Sequence, residues 1–261
     1  MSGHSKWSTI KRQKGVADIK RGQTFTKLAN AITIAVKMGG SGDPESNPRL
    51  RVEIEEAKSV NMPKENVSRA IDRGLGKLPG QTLEEVVYEG FGPGRAAFIV
   101  EGVTDNKLRT LQEIKNIFER SGGSLAGQGA VSYMFERMGE IRARSKEQGA
   151  GSRDDEMLEL IDLGAKDVED YLEDNKQMYL VYTEGLELNT MGNKITQAGY
   201  EVESQAMVMK PNAPVQIEDA ETAKKVLEFA EKLEGLDDVQ KVYANFDIEE
   251  SLLAASSSLF V

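Results

Sequence analysis

The sequence contains no cysteine, a single histidine (His4) and a single tryptophan (Trp7). Without thiols there can be no disulfide and no thiolate metal site, a composition suited to a reducing compartment. One imidazole leaves Ser-His-Asp, Cys-His and two-histidine metal chemistry without their parts. No stretch approaches the roughly 18 consecutive apolar residues that a membrane span needs. The opening Met1-Ser2-Gly3-His4-Ser5-Lys6-Trp7 has no apolar core of a secretory signal. These absences predict a cytoplasmic protein with no membrane partner and no cofactor.

What is present is charge, unevenly placed. The net charge is −10 over 261 residues, yet residues 1–78 hold 15 Lys+Arg against 8 Asp+Glu, a net of +7, and the remainder carries −17. Seven cations (Lys6, Lys11, Arg12, Lys14, Lys20, Arg21 and Lys27) fall within residues 1–27 beside one anion, Asp18. Such a split marks a basic binding arm on an acidic carrier. Cations neutralise phosphates and release counterions, and an indole such as Trp7 can stack on an unpaired base. Trp7 could equally anchor the arm to its own domain. Lys64, Arg69 and Arg73 project from a predicted helix and extend the candidate surface.

The spacing of apolar residues predicts a helix from Thr24 to Lys37, with Phe25, Leu28, Ala29, Ile32 and Val36 on one face and Gly39-Gly40 as its stop. Asn47-Pro48 opens a second helix and Pro63 a third, closed by Gly74. From Thr82 the period changes to that of strands. Val86 and Tyr88 alternate with polar residues, Gly90-Phe91-Gly92-Pro93-Gly94 turns the chain, and Ala96 to Val100 reads as buried strand. Thr104-Asp105 caps a helix bearing Leu108, Leu111, Ile114, Ile117 and Phe118, and a strand with Val131, Tyr133 and Phe135 on one side follows. Residues 138–211 repeat a β-α-β-β-α-β order, the ferredoxin-like split βαβ. A helix over Thr222–Leu233 and a strand over Val239–Phe246 complete the earlier unit.

The expected fold is therefore α/β in the α+β sense, an N-terminal helical domain plus two ferredoxin-like α/β domains. The boundaries are 1–78, then 79–137 with 212–248, with 138–211 inserted, and a tail over 249–261.

Local motifs offer little catalytic chemistry. Gly90-Phe91-Gly92-Pro93-Gly94 precedes a strand instead of a helix N-terminus, so it is a tight connection and not a phosphate loop. Gly74-Leu75-Gly76-Lys77 lacks the spacing and Ser/Thr of a Walker loop. Asp154-Asp155-Glu156 and Asp167 to Asp174 lack the glycine and distal glutamate of a calcium loop, and read as solvated acidic faces. With 43 acidic residues no carboxylate pair is singled out. The chain reads as non-enzymatic.

Gly3-His4-Ser5-Lys6-Trp7, Ile10-Lys11, Lys20-Arg21-Gly22, Phe25-Thr26-Lys27-Leu28 and Asn47-Pro48-Arg49-Leu50-Arg51 resemble the YebC family. So do Asn61-Met62-Pro63-Lys64, Tyr88-Glu89-Gly90, Thr104-Asp105-Asn106 with Arg109-Thr110, and Asn245-Phe246-Asp247-Ile248, in register over essentially residues 2–248. Gln23, Asn30, Leu108 and the extension past Ile248 depart from the family pattern. The resemblance implies a cytoplasmic DNA-binding transcriptional regulator. It equally implies a ribosome- or RNA-associated translation factor, because related members act in translation, on rRNA or tRNA. A flexible basic arm with one tryptophan suits structured RNA at least as well as duplex DNA. A protein-interaction scaffold is the third reading, one that deleting residues 1–22 would leave untouched.

Overall fold

A computed structural model describes residues 19–78, 82–146, 152–173 and 175–249. The helical beginning comprises α1 (Ile19–Gly39), α2 (Pro48–Ser59) and α3 (Lys64–Gly74). Next come β1 (Glu84–Phe91), β2 (Ala97–Thr104), α4 (Lys107–Arg120), β3 (Ser124–Ala126) and β4 (Phe135–Arg144). Then α5 (Arg153–Asp162), β5 (Asp167–Glu173), β6 (Lys176–Glu184), α6 (Leu188–Gln197) and β7 (Glu201–Pro211) follow. The chain closes with β8 (Val215–Ile217), α7 (Ala220–Glu234), β9 (Val239–Ala244) and β10 (Phe246–Ile248). Contacts gather the described residues into two compact units, one from 19–131 with 221–242, the other from 132–220 with 243–249. The fold is the expected mixed α+β.

In the first unit, Leu28, Ile32, Ala35 and Val36 of α1 bury against Leu50, Ala57, Met62 and Ala70, with Phe25 and Ala29 partly covered. α1 begins five residues before the expected Thr24 and runs through Gly22 without a break. Asn47 caps α2: its Oδ1 accepts from Leu50 N at 3.1 Å, while its Nδ2 donates to the Ala35 and Ser41 carbonyls at 2.9 and 3.0 Å. α2 ends in a Schellman turn. Asn61 N donates to Lys58 O at 3.0 Å and Met62 N to Ala57 O at 2.8 Å, with Asn61 at φ 57°.

Gly74 is the last residue of α3, and the left-handed stop falls to Gly76 at φ 71°. Gly74 serves packing instead: a Cβ there would sit 2.6 Å from Val36 Cβ and 2.7 Å from Thr33 O. Gly74→Ala should therefore destabilise the unit by about 1–3 kcal/mol despite alanine's better helix propensity. Urea unfolding followed by circular dichroism checks this, and a stabilised variant would refute the close-packing argument.

The sheet of this unit has the order β3-β1-β2-β9. β2 and β3 each run antiparallel to β1 and so parallel to one another, which makes β2-α4-β3 a split βαβ. The glycine-rich turn is the hairpin between β1 and β2, not a phosphate loop. A Cβ on Gly90 would meet Phe118 Cε1 at 2.6 Å, and one on Gly92 would meet Phe98 Cε2 at 2.6 Å. The true N-cap of α4 is Asn106, whose side chain accepts from Arg109 N at 3.1 Å. Thr104, expected to share that role, is buried at the end of β2.

The second unit has the sheet order β5-β6-β4-β7 with antiparallel neighbours, the order of a ferredoxin-like fold. Ile141, Ala143, Val168, Tyr179 and Val181 pack beneath Leu160 of α5 and Met191 and Ile195 of α6. Alternation sends Met138, Tyr171, Met178, Leu180 and Tyr182 to the opposite face, around the buried guanidinium of Arg142.

Three expectations need correction. Val131, Tyr133 and Phe135 do not share a strand. Residues Ser132–Met134 form a 3-10 turn with Tyr133 69% exposed, and one long strand starts at Phe135. The strand expected over Val239–Phe246 breaks at Asn245, whose carbonyl accepts from Val215 N at 2.7 Å and whose Nδ2 donates to Ala213 O at 3.3 Å. Finally, the acidic stretches are not simply solvated. Asp155 and Ser152 form a capping box, while Glu156 is 4% exposed and accepts from the Tyr179 hydroxyl at 2.5 Å and from Ser145 Oγ at 2.8 Å. Burial and that carboxylate push the Tyr179 phenol well above its ordinary value. Glu169 is likewise 9% exposed and faces Lys210 Nζ at 3.3 Å.

Candidate nucleic-acid interface

A cation available to phosphate must be exposed and uncommitted. Most arginines and lysines of the helical segment fail the second test. Lys37 Nζ donates to Leu83 O at 2.9 Å, Arg49 pairs with Glu85, and Arg51 reaches Pro44 O at 3.1 Å and the Glu45 carboxylate at 3.6 Å. Lys77 holds Asp72 at 3.1 Å. Lys27, proposed from sequence as a phosphate contact, donates to Glu234 O at 2.5 Å, and Gln23 Nε2 donates to Gly235 O at 3.4 Å. Together they cap the C-terminal end of α7, where unpaired carbonyls favour a cation.

Lys64, Arg69 and Arg73 pass both tests. All three are exposed on α3 and make no hydrogen bond or ion pair among the described residues. Val67, Ala70 and Ile71 turn inward, so the opposite side of the helix is left for solvent. That side borders a shallow open groove lined by Lys64, Glu65, Ser68, Arg69, Asp72 and Leu78. Glu65 stands in the first turn, where the helix's positive end favours a carboxylate. Lys58, in the last turn of α2, is equally exposed and uncommitted. Sequence reasoning missed it because it follows Glu53, Glu55 and Glu56. The cue was the Asn61-Met62-Pro63 turn, whose first residue donates its N–H to the Lys58 carbonyl at 3.0 Å.

Lys20 and Arg21 lie in the first turn of α1. Lys6, Trp7, Lys11, Arg12 and Lys14 lie outside the described residues.

The other shared motifs fasten the frame. Glu89 is 5% exposed and its two carboxylate oxygens each accept a backbone N–H, from Gly129 and Val131, both at 2.8 Å. Asp238, unnoticed in the sequence, gathers Thr104-Asp105-Asn106 and Arg109-Thr110. Its Oδ2 accepts from Thr104 at 3.0 Å, Thr110 at 2.6 Å and Arg109 at 2.7 Å. Burial alone would raise its carboxyl, but these donors outweigh it and hold the group below its ordinary value. A carboxylate saturated this way ties β2, α4 and the turn before β9 together. Among the described residues no cluster of three or more His, Asp or Glu could hold a metal ion. No described helix is long and apolar enough to cross a membrane.

Comparison with known proteins matches residues 5–77 to the TACO1/YebC protein N-terminal domain and residues 83–246 to the TACO1/YebC second and third domain. A protein of Sulfurihydrogenibium sp. named a probable transcriptional regulatory protein is 47% identical, covering 97% of this chain and 98% of its own length. One from Chlorobaculum parvum, named likewise, is 46% identical over 98% of both chains. The crystal structure of a conserved hypothetical protein from Aquifex aeolicus superposes with a TM-score of 0.78 at 42% identity, covering 89% of this chain and 93% of that one.

Proposed function

The chain belongs to the TACO1/YebC family, and from that premise we propose that it is a cytoplasmic, non-catalytic regulator of gene expression that works by gripping nucleic acid. Relatives named probable transcriptional regulatory proteins support regulation as the role. The observation that carries nucleic acid as the partner is the clustering of Lys64, Arg69 and Arg73, three exposed cations on one short helix with no hydrogen bond or ion pair among the described residues. Within the helical segment Lys37, Arg49, Arg51 and Lys77 are held by partners in the fold, whereas these three are left for an outside one. The cations of residues 1–21 add positive charge at the same end of the sequence, and the net negative remainder repels polyanions elsewhere. The same proposal divides the chain into a basic helical domain (1–78), an α/β domain (79–137 with 212–248), an inserted one (138–211) and a tail (249–261).

The test is the triple variant Lys64→Ala, Arg69→Ala, Arg73→Ala in the full chain. Affinity for DNA or RNA in dilute buffer is expected to fall at least about tenfold, and the log–log salt slope to flatten by about 2–3, near 0.9 per lost phosphate contact on duplex DNA. The melting temperature should hardly move, since none of the three makes a hydrogen bond or ion pair among the described residues. Unchanged binding with an unchanged slope would exclude α3 as the gripping surface.

A further inference from the structure

α2 and α3 are two short helices joined by the four residues Val60 to Pro63, a turn of the length that helix-turn-helix units use. The turn is strongly determined. Asn61 takes the left-handed conformation at φ 57° that glycine often supplies, the Schellman bonds close α2, and Met62 is 7% exposed in the core. Pro63 then starts α3 without a side-chain cap. Both helices are held on α1 through Leu50, Ala57 and Ala70. A unit fixed at its turn and along its inner side presents the second helix as a rigid ridge.

The ridge has an ordered cross-section. At about 100° per residue, Lys64 and Arg73 stand roughly 180° apart, one on each flank, while Glu65, Ser68 and Arg69 occupy the crest between them. Asp72 shares the crest with its charge held by Lys77. Cations on the flanks and hydrogen-bonding groups on the crest match a groove with phosphate walls and a floor of base edges. A helix with its side chains is about 10–12 Å across, and the major groove of B-form DNA is about 12 Å wide. The deep, narrow major groove of A-form RNA does not admit a helix.

We propose that α3 enters the major groove of B-form DNA, with Lys58, Lys64 and Arg73 on the phosphates and Ser68, Arg69 and Glu65 facing base edges. This rests on the nucleic-acid reading above and names its partner. Arg69 offers two donors to O6 and N7 of a guanine, and Glu65, one turn earlier, accepts from N4 of a cytosine. The site therefore selects duplex with a G·C pair beneath the centre of α3.

The experiment uses the full chain and duplexes recovered by it from a random-sequence DNA pool. One recovered duplex is titrated as DNA, as RNA of the same sequence, and as DNA with single 7-deazaguanine replacements, which remove N7. The DNA form is expected to bind at least about tenfold tighter than the RNA form, and one replacement to cost roughly fivefold or more. Arg69→Ala should lose that N7 dependence, whereas Arg69→Lys, which can still donate to N7, should keep part of it and retain the salt slope. Lys58→Ala, Lys64→Ala and Arg73→Ala should weaken every duplex alike, each flattening the slope by about 0.9. Equal or tighter binding of RNA, or N7 replacements without effect at every guanine, would overturn the groove assignment while leaving nucleic-acid binding in place. Failure to bind any DNA or RNA in dilute buffer would sink both.

Discussion

Phe229→Ala is expected to lower the stability of the first unit by about 3–5 kcal/mol, the cost of emptying a sealed aromatic site. The Phe229 ring is fully buried and meets Phe98 and Phe118 edge-on, with centroids 4.8 Å away in both cases and interplanar angles of 82° and 86°. Edge-to-face pairs add about 0.5–1.5 kcal/mol each beyond area burial. The site cannot easily collapse, because the backbone of Gly92 already lies against these rings. A Cβ there would approach Phe229 Cε1 at 2.8 Å. Phe229 also carries the long-range join of this unit, since α7 returns to β2 and α4 after more than 90 residues of intervening chain. Urea unfolding followed by circular dichroism reads the change. A loss below about 1 kcal/mol would mean that the cavity refills, and that the three-ring cluster is not the keystone its geometry indicates.

That cluster also shows how far the sequence can be read. Elements whose signals are local were legible. Asn47-Pro48 announced a helix start and delivered the cap, the 3.6-residue stripe of α1 matched its buried face, and Gly90 to Gly94 read correctly as a connection. Errors arose where a residue's environment is set from far away. Tyr133 has the composition of a strand, but its ring is exposed on a 3-10 turn. Asn245 interrupts its strand because Val215 and Ala213, some 30 residues earlier, supply its partners. Asp238 had no local cue, because its three side-chain donors lie 128 to 134 positions upstream. The site was legible in part for the same reason. Positive charge can be counted in a sequence, but whether a lysine is free or caps a distant helix cannot. Lys27 was counted in and Lys58 left out on that account.

Replacing Arg142 with methionine should cost about 2–3 kcal/mol at neutral pH. Its side chain is 4% exposed, donates to Glu203 at 2.8 Å and pairs with Glu173, whose side chains are 22% and 19% exposed. Removing one member of a buried ion pair strands the other charges, at about 3–5 kcal/mol when they are fully enclosed. The fraction of solvent that both carboxylates keep, and Arg144 still holding Glu203 at 2.6 Å, place this case below that range. The acid dependence separates charge from packing. Burial alone would raise the Glu203 carboxyl, but hydrogen bonds and charges from Arg142 and Arg144 outweigh it and hold it below the usual glutamate value. A group depressed in the folded state stabilises the protein fully above its unfolded value, near 4.3, and loses that contribution as pH falls through the folded one. The wild type should therefore weaken more steeply than Arg142→Met below about pH 4.5, and the gap between them should narrow with acid. If the gap instead stays constant down to pH 3, Arg142 stabilises through its stem and its seat 5.2 Å from the centre of the Tyr171 ring, and its charge is incidental.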